Sequence, residues 1–427
     1  MSPILFNLYL ADLSRQLSSK CPSLRLGNTS LNHLLFADDL ILVSTGKSKT
    51  MNSLISVTSD YCTQWKLRIA PGKTKILQYG GTKGSWILPR RPMPGFDIIN
   101  EDSFAKYLGI DLEPRSASYC KRRVKKVLSI ARDYATALRH LSTDTLDRVD
   151  VALALWKSCA LSSILYASET VSFTKTDLKK LDAIQCGVAR RICQVDGSTA
   201  NVSSLIETGL IPISIMINAR KVSFYLKISE LGEERLVKQS LNENTCGNWT
   251  SRFMKGIAEL IEGNVDCTPG ELEQSWTSDY FDSELDQCKK SLCIFPRNFM
   301  IGYRSAFLND SWQSEILCSF RAGNARLGNR GPTPQGVTLK LCHLCSALGN
   351  QSLVNEMHVV LCCPFLESIR QDTGLRKIIT ALSTTYNTKN TVTLLRLFLG
   401  EDSACPKELK SRAAMLQMLR IKWYNFM

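Results

Sequence analysis

The chain opens on a helical spacing. Ser2 and Pro3 read as an N-cap and first helical residue, and Phe6, Leu10, Leu13 and Leu17 recur behind them on one face. Two short apolar runs follow, at 33–36 and 40–43, separated by Ala37-Asp38-Asp39. They predict a tight hairpin with two carboxylates at its tip. Met51, Leu54, Ile55, Thr58, Tyr61, Cys62 and Trp65 mark one face of a second helix, and Pro71-Gly72 breaks the pattern. Residues 74–79 and 107–112 are strand candidates, so the chain reads as mixed α+β up to about residue 113.

From about residue 118 the period becomes helical. Val124, Val127, Leu128, Ala131, Ala135, Leu138 and Leu141 share one face, while Lys121, Arg122, Arg123, Lys125 and Lys126 crowd the first turns. Cations there oppose the helix dipole, so local stability does not account for them. A further apolar helix is predicted over 146–166. Another starts at Thr174-x-x-Asp177, a capping-box-like signal, with Leu181, Ile184, Val188 and Ile192 on its face. Between Gly256 and Asp286 acidic residues accumulate without a Lys or Arg, which reads as a solvated connector or surface insertion. The stretch 321–336, rich in Gly, Pro and Arg, reads as a loop leading into a Cys/His cluster.

Composition narrows the partners. A formal net charge of +14 and a pI near 9.1 favour a polyanion, of which nucleic acid is the usual example. No uninterrupted apolar run approaches the ~18 residues of a membrane helix, so no membrane is expected. The apolar start lacks the basic segment of an export signal. The 16 cysteines then point to reduced thiols, in the cytoplasm and/or nucleus, with some available for metal.

Adjacent Asp38 and Asp39 between apolar strands repel each other, and a divalent cation resolves that conflict. Mg²⁺ (or Mn²⁺) prefers carboxylate oxygens, and two such ions can activate a 3′-hydroxyl and stabilise a leaving phosphate. The dipeptide alone reads better as an ordinary turn, since Asp favours turns. Its context says more. Ser2-Pro3-Ile4-Leu5-Phe6-Asn7-Leu8-Tyr9-Leu10, followed by Leu35-Phe36-Ala37-Asp38-Asp39-Leu40-Ile41-Leu42-Val43, resembles two consecutive reverse-transcriptase motifs, the second being the palm hairpin. Trp65 to Lys75, ending Lys73-Thr74-Lys75, is similar to the next palm segment. Phe104-x-Lys106-Tyr107-Leu108-Gly109-Ile110 resembles the primer-gripping strand of non-LTR (LINE-type) retrotransposon enzymes, and Leu165-Tyr166-Ala167-Ser168-Glu169 resembles a later "LYG-E" motif. Ala70 stands where the family usually has Asn.

The resemblance implies Asp38 and Asp39 as catalytic Mg²⁺ ligands. It also implies Lys73, Tyr107, Leu108 and Gly109 as nucleotide- or primer-binding residues. It places the family's first metal-binding aspartate and its fingers upstream of Met1, so the chain is expected to be inactive alone, with the upstream polyprotein segment as a partner.

Cys342-x2-Cys345-x12-His358-x4-Cys363 has the ligand types and spacing of a structural Zn²⁺ site, two ligands on a turn and two on a helical segment. Cys362 competes with Cys363, His343 is a weaker candidate, and four buried metal-free side chains are the alternative. The same stretch resembles a motif near the end of LINE polyproteins, in which Cys363, before Pro364, is the matching ligand. Arg321, Arg326 and Arg330 lie just upstream and are candidates for phosphate contact from a loop, as are the five cations at 121–126 from their helix.

The expected architecture is therefore α+β. A partial reverse-transcriptase palm (1–113) precedes a helical thumb-like region (114–200) and a helical connector with the acidic segment (201–335). A small zinc-binding C-terminal region (336–427) completes it. The function expected is that of a fragment of an RNA-directed DNA polymerase acting on RNA and DNA. The alternative is a non-catalytic nucleic-acid-binding protein that uses the basic helices and the zinc module.

Overall fold

The computed structural model describes residues 2–26, 28–45, 48–70, 73–77, 97–98, 104–112, 116–138, 148–193, 195, 197, 199–242, 249–262, 267–286, 316–317, 319–321, 330–333, 336–339, 341–347, 352, 357–401 and 406–426. Most are helical. Every sheet among them is a two-stranded pair. The chain divides into two compact units, each drawn from separate stretches: Met1–Val127 with Ala167–Thr174 and Asn218–Pro269, and Leu128–Tyr166 with Lys175–Ile217 and Gly270–Met427.

In the first unit, α1 (Ser2–Lys20) and α2 (Ser48–Gln64) pack through the stripes their spacing predicts. Leu10, Leu13 and Leu17 meet Leu54 and Tyr61 in one core, with Phe6 and Trp65 at its margin. Tyr9 stands edge-on to Trp65, ring centroids 5.0 Å apart. The end of α1 is tied down by the buried Asn32 amide, which donates to the carbonyl of Leu17 (2.9 Å), an acceptor shared with the Cys21 N–H (3.2 Å), and to that of Cys21 (3.3 Å) just past the helix. β1 (Leu24–Leu26) pairs with β2 (Thr29–Leu31), and β3 (His33–Phe36) with β4 (Asp39–Leu42), both antiparallel. The Thr29 N–H donates to the Gln239 side chain, 3.1 Å away, which ties a distant part of the chain to this unit.

β5 (Lys75–Ile76) pairs in parallel with β6 (Asp97–Ile98). The stretch 107–112, expected as one strand, instead spans a hairpin: β7 (Ala105–Tyr107) and β8 (Ile110–Leu112) pair around Leu108-Gly109. Both turn residues have positive φ, 46° and 76°, as a type I′ turn requires. Gly109 adopts this freely, whereas Leu108 bears the steric cost.

Farther along, α3 (Ser116–Ala137) buries Val124, Val127, Leu128, Ala131 and Ala135. In the second unit, helix Arg148–Leu155 continues through a π-helical turn, Trp156–Leu161, into Ser162–Leu165. The stretch Val151–Thr170 is long and apolar enough to cross a membrane by length and composition, although no unbroken apolar run announces it. Trp156 within it is fully buried and donates to Gln185 on helix Lys175–Ile192 at 3.1 Å, which is how a core helix of a packed unit behaves. Ala167, at φ 53°, occupies the glycine position of the motif it resembles, and the left-handed backbone explains why glycine suits that place.

Two sequence expectations change. Much of the acidic segment expected as a solvated connector lies in helices Trp249–Ile261 and Pro269–Asp286, which bury Ile257, Leu272 and Phe281. Glu259, Glu271, Asp279 and Asp282 are exposed on helices whose other face is packed, and Glu262 is exposed in the turn that follows the first of them. The end of the stretch expected as a loop, 321–336, enters a hairpin from Arg330: Arg330–Thr333 pairs with Gly336–Leu339. The C-terminal core unites Ile316, Leu317 and Phe320 with Val359, Val360, Leu366, Leu395, Phe398, Leu416, Leu419 and Trp423, and the Cys/His cluster lies inside it.

Candidate functional site

Asp38 and Asp39 are both exposed at the tip of the β3–β4 hairpin. Phe36 pairs with Asp39, leaving a two-residue loop in which Ala37 takes φ 51°. A non-glycine residue in that region costs roughly 1–2 kcal/mol, and such strain commonly marks functional turns. Around the hairpin, Leu34 and Phe36 of β3 and Ile4, Leu5 and Leu8 of α1 are exposed.

The β7–β8 tip lies within electrostatic reach. Burial, and after it the negative charge of Asp39, push the Tyr107 hydroxyl above its usual range. Leu108 and Gly109 form the adjoining turn. Lys73 is exposed on a turn in which its own N–H and that of Thr74 both donate to the Ala70 carbonyl at 3.1 Å. Lys75 and Arg122 flank the Phe104 ring, 5.8 and 4.6 Å from its centroid, and Lys75 also donates to the Phe104 carbonyl at 3.3 Å.

The cations of α3 have separate fates. Arg122 lies over Phe104, Arg123 is buried at 5% exposure, and Lys126 pairs with the buried Asp111 at 3.0 Å. Lys125 is exposed; the side chain of Lys121 lies outside the described residues. Tertiary pairing thus accounts for cations that the helix dipole disfavours.

Arg321 corrects an expectation outright. It was a candidate for phosphate contact from a loop, yet it is 3% exposed at the end of a short helical stretch. Its Nη1 donates to both oxygens of Glu207 at 3.1 Å, and Nε and Nη2 donate to the Leu399 carbonyl at 2.8 and 2.6 Å. A phosphate cannot reach it. Arg326 lies outside the described residues, and Arg330 opens a strand with its side chain likewise outside them.

Cys342, Cys345, His358 and Cys363 converge, all buried, with their ligand atoms within 4.8 Å of one another. Five residues on a regular α-helix turn through about 500°, which would leave His358 and Cys363 about 140° apart. The π-helical turn His358–Cys362 removes that mismatch. Its wider winding closes with the Cys363 N–H donating to the His358 carbonyl at 2.7 Å, an i→i+5 bond that swings both side chains to one side. On the other arm, the Cys342 N–H donates to Ser352 at 2.7 Å and the Ser346 N–H to Cys342 at 2.8 Å, which sets the turn that carries Cys345.

The cluster fits zinc. Around a tetrahedral ion with metal–sulfur near 2.3 Å and metal–nitrogen near 2.0 Å, sulfurs stand about 3.8 Å apart and sulfur stands about 3.5 Å from nitrogen. Cys345 Sγ is 3.9 Å from Cys363 Sγ and 3.4 Å from His358 Nε2. Burial pushes the Cys345 thiol up to about 12 and raises Cys363, while burial and then Arg370 lower His358. Without a cation the Cys345 and Cys363 thiols keep their protons and the His358 imidazole is neutral, so metal binding releases protons. Cys362 is exposed, leaving Cys363 as the cysteine that faces the cluster.

Compared with known families, residues 1–112 match reverse transcriptase (RNA-dependent DNA polymerase). This segment is similar to a reverse-transcriptase domain. The match runs from α1 through β8. It therefore includes the Asp38-Asp39 hairpin, Lys73 and the Tyr107-Leu108-Gly109 turn, and it ends before α3 and the Cys/His cluster. Domains of this family bind RNA and DNA and typically use Mg²⁺. No curated protein matches the chain.

Several organising residues were not singled out in the sequence. Phe104 gathers two cations beside the Tyr107 hairpin, and Glu207 neutralises Arg321 across 114 residues of chain. Arg370 is buried against the metal-ligand turn and bonded to Glu367. Only the Glu367-x-x-Arg370 spacing gave a local signal, since residues three apart on a helix are neighbours.

Proposed function

We propose that residues 1–112 carry two of the metal-binding carboxylates of a polymerase palm from a reverse transcriptase of the non-LTR retrotransposon type. In this reading the C-terminal cluster is a structural zinc module of the same protein, and the bound partners are RNA and DNA. The observation that carries the reading is the exposed Asp38-Asp39 tip beside the Tyr107 hairpin, inside the segment that matches the family. Asp38 and Asp39 would hold Mg²⁺, which when bound supplies nucleophile activation and leaving-group stabilisation.

Two carboxylates leave such a centre short of ligands. The exposed apolar side chains of Ile4, Leu5, Leu8 and Phe36 also suit a surface completed by further polypeptide. The 427 residues alone are accordingly expected not to polymerise. Cys21, Cys62, Cys159, Cys186, Cys193 and Cys267 form no disulfide among the described residues, which suits action in the cytoplasm or nucleus.

The test is primer extension on an RNA template with Mg²⁺ or Mn²⁺. The chain should give no more product than its Asp38→Asn/Asp39→Asn variant, whereas in a longer, active protein containing it the double change should abolish synthesis. Templated extension by the chain above that control refutes the inactivity, and retained synthesis in the longer variant refutes the catalytic assignment.

A further inference from the structure

Arg370 stands out among the charged groups because it is 1% exposed and its described hydrogen bonds all lie around one turn. Its Nη1 donates to the Val359 carbonyl at 3.4 Å, and its Nη2 donates to the Cys363 carbonyl. Both belong to the segment that carries His358 and Cys363. Nε and Nη2 also bond Glu367 Oε2 at 3.0 and 2.9 Å, and Arg376 reaches the other Glu367 oxygen at 3.5 Å.

Covalent structure explains why this turn needs an outside donor. The His358 carbonyl takes the Cys363 N–H, so the bond that an α-helix would give Val359 is already used. The next N–H along the π winding would come from Pro364, which has none. Val359 would be left with a buried, unsatisfied carbonyl, at a cost of about 1–3 kcal/mol in general. Arg370 fills that vacancy and grips the carbonyl of the ligand Cys363 with the same guanidinium.

Charge points the same way. A zinc ion held by three thiolates and a neutral imidazole carries one net negative charge, here among side chains 0–5% exposed. Buried charge is expensive unless paired. The fully buried Arg370 guanidinium lies beside it, bonded to the Cys363 carbonyl, whereas its partner Glu367 is one-third exposed and better screened by solvent.

We propose that Arg370 is the positioning residue of the metal centre: it holds the His358–Cys363 turn in ligating geometry and offsets the charge of the loaded cluster. This rests on the zinc reading of the cluster. Outer-shell partners of this kind typically alter metal affinity 10–100-fold.

The experiment uses the full chain. Zinc content is measured by elemental analysis, affinity by competition with a chromophoric chelator, and ligand geometry by the absorption of the Co²⁺-substituted protein. Failure of the wild type to bind one zinc would overturn the metal reading itself, before any variant is considered. Given a loaded wild type, Arg370→Gln should lower zinc affinity by ~10–100-fold and shift the Co²⁺ bands. Arg370→Lys, which keeps the charge but not the forked grip, should be intermediate. Arg376→Gln should match the wild type, because Arg376 is half-exposed and its described ion pair is with Glu367 alone.

A purely structural role predicts something different: equal loss of thermal stability in the chelated and zinc-loaded proteins, with affinity and Co²⁺ spectrum unchanged. That result overturns the proposal. If Arg370→Gln does not fold, the lysine variant decides, and a folded Arg370→Lys with wild-type affinity and spectrum also overturns it.

Discussion

Replacing Glu207 by Gln should destabilise the C-terminal unit by about 3 kcal/mol, the lower end of what removing one member of a buried ion pair costs. Arg321 and Glu207 have side chains only 4% and 7% exposed, and the two 3.1 Å bonds to one carboxylate leave little room for water. At an effective dielectric of about 20, opposite charges about 4 Å apart attract by about 4 kcal/mol, which the variant forfeits while the guanidinium stays buried. The lower end applies because Gln retains one acceptor oxygen, and Leu399 still accepts from Nε and Nη2. For a unit of this size the midpoint of thermal unfolding should fall by roughly 6–12 °C. Circular dichroism melts of the full chain read this directly. Arg321→Met/Glu207→Leu should be less damaged than Glu207→Gln, because no unpaired charge remains. A fall below about 1 kcal/mol, typical of an exposed pair, would refute the buried geometry. So would a change in the salt dependence of nucleic-acid binding on Arg321→Gln, since that requires the guanidinium to touch phosphate.

Nucleic-acid binding should weaken with salt. Lys125→Gln should flatten the slope of log affinity against log salt by about one unit. Arg123→Gln should leave the slope unchanged and lower the melting midpoint instead; the opposite pattern in a salt titration would contradict the burial of Arg123. For the metal centre, Cys342→Ser, Cys345→Ser, His358→Ala and Cys363→Ser should each weaken zinc binding, with Cys362→Ser near wild type. Metal titration in which Cys362→Ser is damaging and Cys363→Ser silent would show that the π-helical turn is wrongly wound.

Local covalent chemistry made much of this protein readable from its sequence. The α1 and α2 stripes, the hairpin carrying Asp38 and Asp39 and the four-residue Cys/His set depend on spacing along a few turns of chain. Spacing is a property of neighbours, and neighbours are in the sequence. The roles of the arginines and lysines were not legible in the same way. Whether a guanidinium meets water, a phosphate or a buried carboxylate depends on its solvation, and that is set by groups far along the chain. Glu207 removes Arg321 from any nucleic-acid surface, and Asp111 and the packing of α3 do the same, in different degrees, for Lys126 and Arg123. The resemblance already named Cys363 as the ligand, but why Cys363 rather than Cys362 faces the cluster depends on the winding of one turn. An α-helical and a π-helical path share the same residues but differ in which side chains they bring together, and the packed C-terminal core around that turn decides between them.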